Sequence, residues 1–341
     1  MLLVGGWPDL DHHDTGVGHP ERHERVRAAL AGIEAAGLDD AVVSLEPRRA
    51  SIDELARVHD RTYLEALASF CASGGGHLDP DTVAVRDSWD TASVAAGGVL
   101  GAIDALRAGD GTLAFVAARP PGHHALADTA MGFCLLNNVA VGAAALADQG
   151  ERVVIVDWDV HHGNGTQAIF WDDPRVLYAS THQSPLYPGT GRASETGGPG
   201  APGATINVPL PPGATGDVVL RAFDEVIAPA VDRFDPTWVL VSCGFDAHRL
   251  DPLANLALTA ADFAALAARA RSWAPAPGRL ALVLEGGYDL EALRMSAGAA
   301  VAAALDVDYR PEAPSAGGPG TDAVRAARAA QEAVTGIAPT S

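Results

Sequence analysis

The sequence predicts a single α/β domain of three layers, in which helices cover both faces of a central, mostly parallel sheet. Short apolar runs rich in β-branched residues alternate with longer, Ala-rich amphipathic segments. Strands that alternate with helices form parallel sheets, because parallel neighbours need a crossover connection. With 341 residues, of which 48% are hydrophobic, the chain is long enough to bury one large core.

The predicted elements follow from two hydrophobic periodicities. Short apolar runs with β-branched residues are typical of buried strands, whereas apolar residues that repeat about every 3.6 positions indicate helices. The predicted strands are residues 112–117, 152–156, 176–180, 238–242 and 280–284. The predicted helices are residues 23–36, 51–58, 91–108, 136–149, 218–234, 260–273 and 290–305. Residues 189–203 are rich in Gly, Pro and small side chains, so we expect a loop there.

The chain divides near residue 310. No change of composition interrupts residues 1–309, which we therefore interpret as one domain. Residues 310–320 are rich in Gly and Pro, and an Ala-rich helix is predicted from residue 322 to about residue 334. We interpret residues 310–341 as a linker followed by a short helix that docks on the domain surface.

The charge balance restricts the kind of partner. The formal net charge is −20, from 43 acidic and 23 basic residues. Such a surface repels phosphate groups and anionic lipid headgroups, so we expect neither nucleic acid nor a membrane as a partner. A cationic substrate such as a lysine-rich tail or a polyamine suits this charge, although acidic residues also serve solubility alone. The sequence leaves the oligomeric state open.

Cysteine usage and hydropathy indicate the compartment. The three cysteines, Cys71, Cys134 and Cys243, are isolated and form no CxxC pair. This fits a reducing compartment and argues against a thiolate zinc site. No basic leader precedes a long apolar run at the N-terminus, and no stretch approaches about 18 uninterrupted apolar residues. We therefore expect a cytoplasmic protein.

Polar or titratable residues follow each of the five predicted strands. Ligand sites in open parallel sheets lie beyond the carboxyl ends of the strands, so we expect these residues to meet at one edge. In chain order they are Arg119 with His123 and His124, residues 157–164, Thr181 with His182, Asp246 with His248, and Glu285 with Tyr288. A shared site explains this recurrence better than chance does.

The segment after residue 156 has the highest density of metal-ligand side chains. Asp157, Asp159 and His161 alternate, and alternate side chains of an extended segment share a face. Asp246 follows another strand and supplies the third donor of a predicted metal site formed by Asp159, His161 and Asp246. Three protein donors leave the open position that catalytic zinc requires, and the same donor types also accept Fe²⁺.

Three further residues suit catalysis beside this site. His123 and His124 follow a rigid Pro-Pro-Gly turn and can supply a base for a water molecule and an acid for a leaving amine. Tyr288 follows two glycines, and its phenol can donate to a developing oxyanion opposite the metal.

At these residues the sequence resembles the histone deacetylase family, which has the arginase/deacetylase fold. The matching motifs are GHPER (18–22), LARVHDRTY (55–63), RPPGHHA (119–125), GFC (132–134), DWDVHHGNGTQ (157–167), YPGTG (187–191), GFDAH (244–248) and EGGY (285–288). The DWD and HGNG stretches resemble the class II branch, including bacterial histone deacetylase-like amidohydrolases. The resemblance spans about residues 10–305 and implies a hydrolase of linear amides, with residues 1–309 as its catalytic domain.

The resemblance also implies a role for each site residue. The implied zinc ligands are Asp159, His161 and Asp246, and the implied catalytic residues are His123, His124, Asp157, Asn164 and Tyr288. His124 would act as general base and acid, while His123 would remain an electrostatic partner that Asp157 orients. Asn164 stands where class I enzymes have an aspartate, so it would orient His124 but raise its basicity less. Tyr288 would polarise the acyl carbonyl.

A substrate tunnel and a second cation are implied as well. Phe133 and Tyr187 would form the tunnel walls, Gly132 would line them, and Leu253 would lie at the mouth. A structural potassium ion would lie near the zinc. Its implied ligands come from Asp157, Asp159, His161, Ser180 and Thr181.

The substrate stays open between an acylated lysine and a small N-acyl amine. Relatives selective for acetylpolyamines have a glutamate near the tunnel mouth, where this chain has Leu253, and an apolar residue favours acyl-lysine or a neutral acyl amide. Asp79 and Asp81 are candidates to bind a cationic amine at the rim.

The same fold also admits a catalytically silent binding protein or a dimanganese ureohydrolase. The complete set of catalytic residues argues against the first, because every implied ligand and catalytic position is filled. The single-metal donor set argues against the second, because two bridged metals need more aspartates.

Overall fold

The computed structural model describes residues 1–336, apart from the side chains of Pro8 and Asp9. The strands in this part of the chain are β1 (Leu2–Gly5), β2 (Val42–Ser44), β3 (Gly75–His77), β4 (Val83–Val85), β5 (Leu113–Val116), β6 (Val153–Asp157), β7 (Val176–Gln183), β8 (Thr205–Leu210), β9 (Trp238–Cys243) and β10 (Leu280–Leu284). Eight of them form one parallel sheet in the order β2-β1-β5-β10-β9-β6-β7-β8, and β3 and β4 form a separate antiparallel hairpin. The predicted parallel sheet is therefore confirmed.

Helices connect the strands and cover the sheet. Within residues 1–336 they are α1 (Glu24–Ala35), α2 (Ile52–Leu55), α3 (Arg61–Ala72), α4 (Ser88–Ala108), α5 (Asn138–Ala147), α6 (Asn164–Ile169), α7 (Gly216–Ala222), α8 (Ala228–Phe234), α9 (Ala260–Trp273), α10 (Leu290–Ala304) and α11 (Thr321–Thr335). α10 packs between α1 and α9, while α4 packs against α5. The first group contacts the sheet through α9, and the second group contacts it through α4 and α5. None of the helices described is long and apolar enough to cross a membrane.

The five strands that the sequence predicts are five consecutive strands in the middle of the sheet, β5-β10-β9-β6-β7. Their apolar runs are continuous because helices cover both faces, and Val153 to Val156, for example, are fully buried. Since the strands are parallel, their carboxyl ends lie at the same edge of the sheet. The edge strands were harder to predict: β2 has three residues, and β8 interrupts its apolar residues with Asn207 and Pro209.

The segment predicted as one helix over residues 218–234 is interrupted. α7 and α8 are joined by a turn of π-helix at Phe223–Ile227, and Pro229 lies in the first turn of α8. Pro229 has no N–H group, so in a regular α-helix it could not donate to the carbonyl oxygen four residues earlier. The wider turn accommodates that loss.

The C-terminal helix predicted from residue 322 to about 334 is α11, and it packs against the edge strand β8. Val324 and Ala327 are buried in this contact. Gln331 Nε2 donates a hydrogen bond of 2.6 Å to the carbonyl oxygen of Thr205 in β8. The last helix is thus joined to the sheet by both apolar and polar contacts.

Candidate metal and catalytic site

Three donor side chains meet at the carboxyl ends of two neighbouring strands. Asp159 and His161 follow β6, and Asp246 follows β9, which pairs with β6. One donor atom of each side chain lies within 4.8 Å of the other two, and all three residues are buried. His161 Nδ1 is 3.2 Å from Asp159 Oδ1 and 3.2 Å from Asp246 Oδ2. The structure brings the three predicted donors together.

The backbone after β6 reaches this arrangement by turning rather than by remaining extended. β6 ends at Asp157. The Asp159 N–H donates to Asp157 Oδ1 at 3.1 Å, and the His161 N–H donates to Asp159 Oδ1 at 2.9 Å. Each aspartate therefore accepts from the residue two positions later, which is a turn that aspartate favours. The alternation of an extended strand, which the sequence suggested, is not the cause of the convergence.

In both Asp159 and Asp246, a backbone N–H group donates to the carboxylate oxygen that does not contact His161. The Gly286 N–H donates to Asp159 Oδ2 at 2.7 Å, and the Val160 N–H donates to Asp246 Oδ1 at 2.8 Å. A Cβ atom added to Gly286 would overlap Asp246 Oδ2 and lie 2.6 Å from Asp159 Oδ2. The loop after β10 therefore lies so close to the donors that only glycine fits at position 286.

The electrostatics of the three donors suit a divalent cation. Burial and the neighbouring Asp159 raise the pKa of Asp246 to about 7. Burial disfavours the charged imidazole, but the hydrogen bonds to Asp159 and Asp246 outweigh it and raise the pKa of His161 to about 10. Two buried carboxylates thus share one cationic group. A divalent cation fits the same donors, because it neutralises both carboxylates and accepts the lone pair of the imidazole.

Two adjacent imidazoles lie beside the donors, and each has its own orienting partner. His123 Nδ1 is 3.0 Å from Asp157 Oδ2, which also accepts a hydrogen bond of 3.1 Å from the Tyr178 hydroxyl. His124 Nδ1 is 2.8 Å from Asn164 Oδ1. The two rings are 4.1 Å apart between centroids. The predicted partners Asp157 and Asn164 therefore lie behind His123 and His124.

These partners give the two imidazoles opposite properties. Burial disfavours the charged form of His123, but Asp159 and Asp157 outweigh it and hold the pKa of His123 well above its ordinary value. Burial, together with His123 and His161, holds the pKa of His124 well below its ordinary value. The surroundings therefore favour the charged form of His123 and the neutral form of His124.

Aromatic rings surround the approach to these histidines. The Phe133 ring is 5.8 Å from the Tyr288 ring, and the Tyr187 ring is 5.2 Å from the His124 ring, both edge to face. Gly132 has φ of 56°, and a Cβ atom there would overlap the His124 ring. Phe133 therefore lies beside Tyr288, while Tyr187 and Gly132 lie beside His124.

Comparison with known proteins agrees with this geometry. Residues 19–304 match the protein family described as Histone deacetylase domain. The chain belongs to the histone deacetylase family. A probable deacetylase of Archaeoglobus fulgidus is 43% identical over 284 residues, which cover 82% of this chain and 79% of that protein. A histone deacetylase-like amidohydrolase of Pseudomonas aeruginosa is 41% identical over 84% of this chain and 76% of its own length.

The fold comparison gives the same result. The crystal structure of the HDA15 HD domain superposes with a TM-score of 0.89 at 34% identity, over 97% of this chain and 94% of that one. The resemblance seen in the motifs is therefore confirmed for the family and for the fold. The histone deacetylase match ends at residue 304, so α11 and the segment before it lie beyond the matched region.

Leu253 and the two rim aspartates lie on separate loops of this histone deacetylase family member. The Leu253 N–H donates to Asp251 Oδ1 at 2.9 Å. Asp79 accepts hydrogen bonds from the backbone of Asp81 and Thr82, and the Thr82 hydroxyl accepts one of 3.1 Å from the Phe133 N–H. Burial, Asp81 and Asp79 raise the pKa of Tyr187. The loop of Asp79 and Asp81 is therefore bonded through Thr82 to the Phe133 backbone, and both carboxylates act electrostatically on Tyr187.

The residues named for potassium also lie together in part. Ser180 of β7 pairs in register with Asp157 of β6, and Thr181 follows it in the same strand. The Ser180 hydroxyl is 2.9 Å from His182 Nδ1. Ser180 and Thr181 are both buried. Ser180 therefore adjoins Asp157, and Thr181 is the next residue of the strand.

Two carboxylates have structural importance that the sequence analysis did not assign. Glu285 is fully buried and accepts hydrogen bonds from the Gly122 N–H at 2.6 Å, the His123 N–H at 3.1 Å and the Ser242 hydroxyl at 3.0 Å. It thus holds the backbone of the histidine pair. The feature of the sequence that could have indicated this role is a glutamate directly after a buried strand.

The second such carboxylate is Asp251. Its Oδ2 accepts a hydrogen bond of 2.7 Å from the Tyr288 N–H, and its Oδ1 accepts from Leu253. It therefore joins the loop that contains Tyr288 to the loop that contains Leu253. The Asp-Pro pair at this position was the available signal, because aspartate before proline commonly begins a turn.

Proposed function

We propose that this chain is a zinc-dependent deacylase that hydrolyses the amide of an acylated lysine or a related N-acyl amine and releases acetate or another acylate. The observation that carries the proposal is the convergence of the Asp159, His161 and Asp246 donor atoms within 4.8 Å, beside the His123–His124 pair. Two relatives, the probable deacetylase of Archaeoglobus fulgidus and the histone deacetylase-like amidohydrolase of Pseudomonas aeruginosa, support the same reaction class. The isolated cysteines support a cytoplasmic location.

Asp159, His161 and Asp246 would hold the metal. A divalent cation bound there supplies a Lewis acid that polarises the acyl carbonyl and lowers the pKa of a water molecule. We propose Zn²⁺, and two carboxylates with one imidazole also accept Fe²⁺. We further propose a structural K⁺ bound through Asp157, Asp159, His161, Ser180 and Thr181.

The protein groups then divide the proton transfers. Asn164 fixes Nδ1 of His124 as the protonated nitrogen, so Nε2 has the lone pair that accepts a proton from the attacking water. The water oxygen bonds to the acyl carbon, and the Tyr288 hydroxyl donates to the developing oxyanion. His124 then returns the proton to the amine as the C–N bond breaks. The products are one carboxylic acid and one amine, and transfer of the acid proton to the amine gives a carboxylate and an ammonium group.

His123 and the tunnel walls act on this reaction without exchanging protons. The cationic His123, held by Asp157, stabilises negative charge beside the reacting centre. Phe133 and Tyr187, which lie beside Tyr288 and His124, would exclude water and hold a linear acylated chain between them. Such aromatic walls would suit an extended substrate such as an acyl-lysine side chain.

Metal dependence is the direct test of the proposal. Removing metal with a chelator should lower deacetylation of an acetyl-lysine peptide to about 1% or less, because bound metal supplies the Lewis acid. One equivalent of Zn²⁺ or Fe²⁺ per chain should restore activity. The measurement is turnover together with metal content.

The Asp246→Ala variant is the control for the metal experiment, because it lacks one donor and should neither retain metal nor recover activity. Full turnover of metal-free wild-type protein would contradict the proposed function. The relative recovery with Zn²⁺ and with Fe²⁺ identifies the better metal.

An acetylpolyamine amidohydrolase is the second candidate, favoured by the two rim carboxylates Asp79 and Asp81. Their action on Tyr187 places negative charge near the proposed tunnel. Leu253 opposes this candidate, because an apolar side chain gives a second ammonium group no partner. The Leu253→Glu variant should therefore increase kcat/KM for an acetylpolyamine over that for a neutral acetyl amide by about fivefold.

The control for this substitution is Leu253→Gln, which has nearly the same shape as glutamate without the charge. Rates for the wild type and both variants should be compared on the acetylpolyamine, an acetyl-lysine peptide and the neutral amide. If the wild type already prefers the acetylpolyamine, then the acyl-lysine assignment is wrong.

A further inference from the structure

We infer that Glu312, in the segment between α10 and α11, is a positioning residue for the loop that contains Asp246, and that it thereby controls metal affinity and turnover. The inference rests on the proposed deacylase function for its catalytic part, whereas its metal-binding part is independent of substrate. Glu312 follows residue 304, where the family match ends.

Glu312 makes three contacts with the part of the chain that follows β9. Its Oε2 lies 2.7 Å from His248 Nε2 and accepts a hydrogen bond of 2.9 Å from the Ala260 N–H. Its Oε1 accepts a hydrogen bond from Arg249 Nη2 at 2.5 Å. The Glu312 side chain is 11% exposed and that of His248 is 0% exposed. Such a buried contact with a carboxylate is stronger than a surface ion pair.

His248 transmits this contact to the loop, because it lies two residues after Asp246. Its Nδ1 accepts a hydrogen bond of 3.2 Å from the Leu250 N–H, so Nε2 is the protonated nitrogen that donates to Glu312. The His248 N–H donates to the Phe245 carbonyl oxygen, and its own carbonyl accepts from the Asp251 N–H. The His248 ring therefore bonds both to the turn of residues 245–251 and to Glu312 in the C-terminal segment.

The same turn connects to the other parts of the site. Asp251, three residues after His248, accepts hydrogen bonds from the backbone of Tyr288 and of Leu253. A shift of this turn would therefore move a metal donor, the backbone of Tyr288 and the residue at the tunnel mouth together. Groups that orient metal ligands affect metal affinity even though they do not touch the metal.

The segment that contains Glu312 is itself held firmly. The Ser315 hydroxyl donates to Asp262 Oδ2 at 2.6 Å, and the Gly216 N–H donates to the Ser315 hydroxyl at 2.8 Å. The Gly318 N–H donates to the Thr215 hydroxyl at 2.8 Å. Since α11 is docked on β8 beyond this point, the chain is anchored on the C-terminal side of Glu312. The Glu312 carboxylate can therefore act as a fixed point for His248.

The competing explanation is a stability role alone, because Glu312 also accepts from Ala260, the first residue of α9. A carboxylate at the start of a helix stabilises that helix. That role predicts a lower melting temperature with unchanged metal affinity. Metal affinity and the separate values of kcat and KM therefore distinguish the two explanations.

The test compares full-length Glu312→Ala and Glu312→Gln with the wild type. Zinc affinity is measured by competition with a chromogenic chelator, and Co²⁺-loaded protein is examined by visible absorption. For Glu312→Ala we expect an approximately 10-fold weaker zinc affinity, an altered Co²⁺ spectrum and a lower kcat with little change in KM. Glu312→Gln keeps an acceptor oxygen for His248 and should recover part of both properties.

Glu332→Ala is the matched control, because it removes a carboxylate of α11 that pairs with Arg328. It should leave metal affinity and kcat unchanged. Wild-type zinc affinity and kcat in Glu312→Ala, with or without a lower melting temperature, would overturn the inference. If Glu312→Ala does not fold, wild-type values for both properties in Glu312→Gln overturn it instead, and intermediate values support it.

The metal measurements also separate this inference from the proposed function. A wild-type protein that binds zinc but hydrolyses no acyl amide would contradict the proposed function, and weaker zinc binding by the Glu312 variants would still support the positioning role. A wild type that hydrolyses acyl-lysine, with Glu312→Ala equal to it in every measurement, would contradict the positioning role alone.

Discussion

Replacing Tyr288 with phenylalanine is expected to lower turnover of an acetyl-lysine peptide by about 100- to 1000-fold while metal remains bound, because one oxyanion donor is lost. The ring should keep its position. Arg25 Cζ lies 4.9 Å from the Tyr288 ring centroid, the Phe133 ring packs against it, and its backbone N–H is bonded to Asp251. The measurements are kcat, KM and metal content of the same preparation.

Tyr309→Phe is the control for this substitution, because Tyr309 is a partly buried tyrosine outside the site. It should leave kcat unchanged. A Tyr288→Phe protein with near-wild-type turnover would show that the phenol does not stabilise the oxyanion. Equal loss of turnover and metal would show instead that the Tyr288 hydroxyl supports the metal site.

Gly286→Ala is expected to abolish tight metal binding and, with it, deacylation, although Gly286 is not a ligand. An added Cβ would overlap Asp246 Oδ2 and lie 2.6 Å from Asp159 Oδ2. It would also disturb the N–H group that donates to Asp159. Because both carboxylates must move, we expect zinc affinity to fall by about 100-fold or more. Competition with a chelator and isothermal titration measure this change.

The matched control is Gly101→Ala within α4. A Cβ atom at Gly101 meets only the Arg48 side chain, at 3.8 Å or more, and alanine favours helices, so metal affinity should be unchanged. Gly286 does not have a positive φ, so alanine there is not disfavoured by the backbone. Zinc binding by Gly286→Ala at the wild-type level would contradict the description of the donor cluster.

The position of the site was predictable because its strands have a strong sequence signal. The five predicted strands lie side by side in the sheet, so residues that follow them in sequence are brought to one edge. Parallel strands covered on both faces are continuously apolar, and this makes them easy to recognise. The edge strand β8 contains Asn207 and Pro209 and lacks that signal.

The contacts that hold the site were less predictable, because they join residues distant in sequence. Glu312 and His248 are 64 positions apart, and Arg25 and Gly287, whose carbonyl oxygen accepts from Arg25 Nε at 2.7 Å, are 262 positions apart. No local pattern specifies such pairs. The turns at Asp157 and Asp159 form because each carboxylate accepts a hydrogen bond from a nearby backbone N–H group. An extended-strand pattern in the sequence does not reveal these hydrogen bonds.

The order of the sheet has a consequence for folding. β5 and β6 are consecutive strands in the sequence, but β10 and β9 lie between them in the sheet. During synthesis, the first half of the chain therefore cannot close the middle of its own sheet. The two central strands come from the last third of the chain, and contacts between distant segments form slowly. Asp246 joins Asp159 and His161 only when β9 enters that gap, so we expect the proposed metal to bind late in folding.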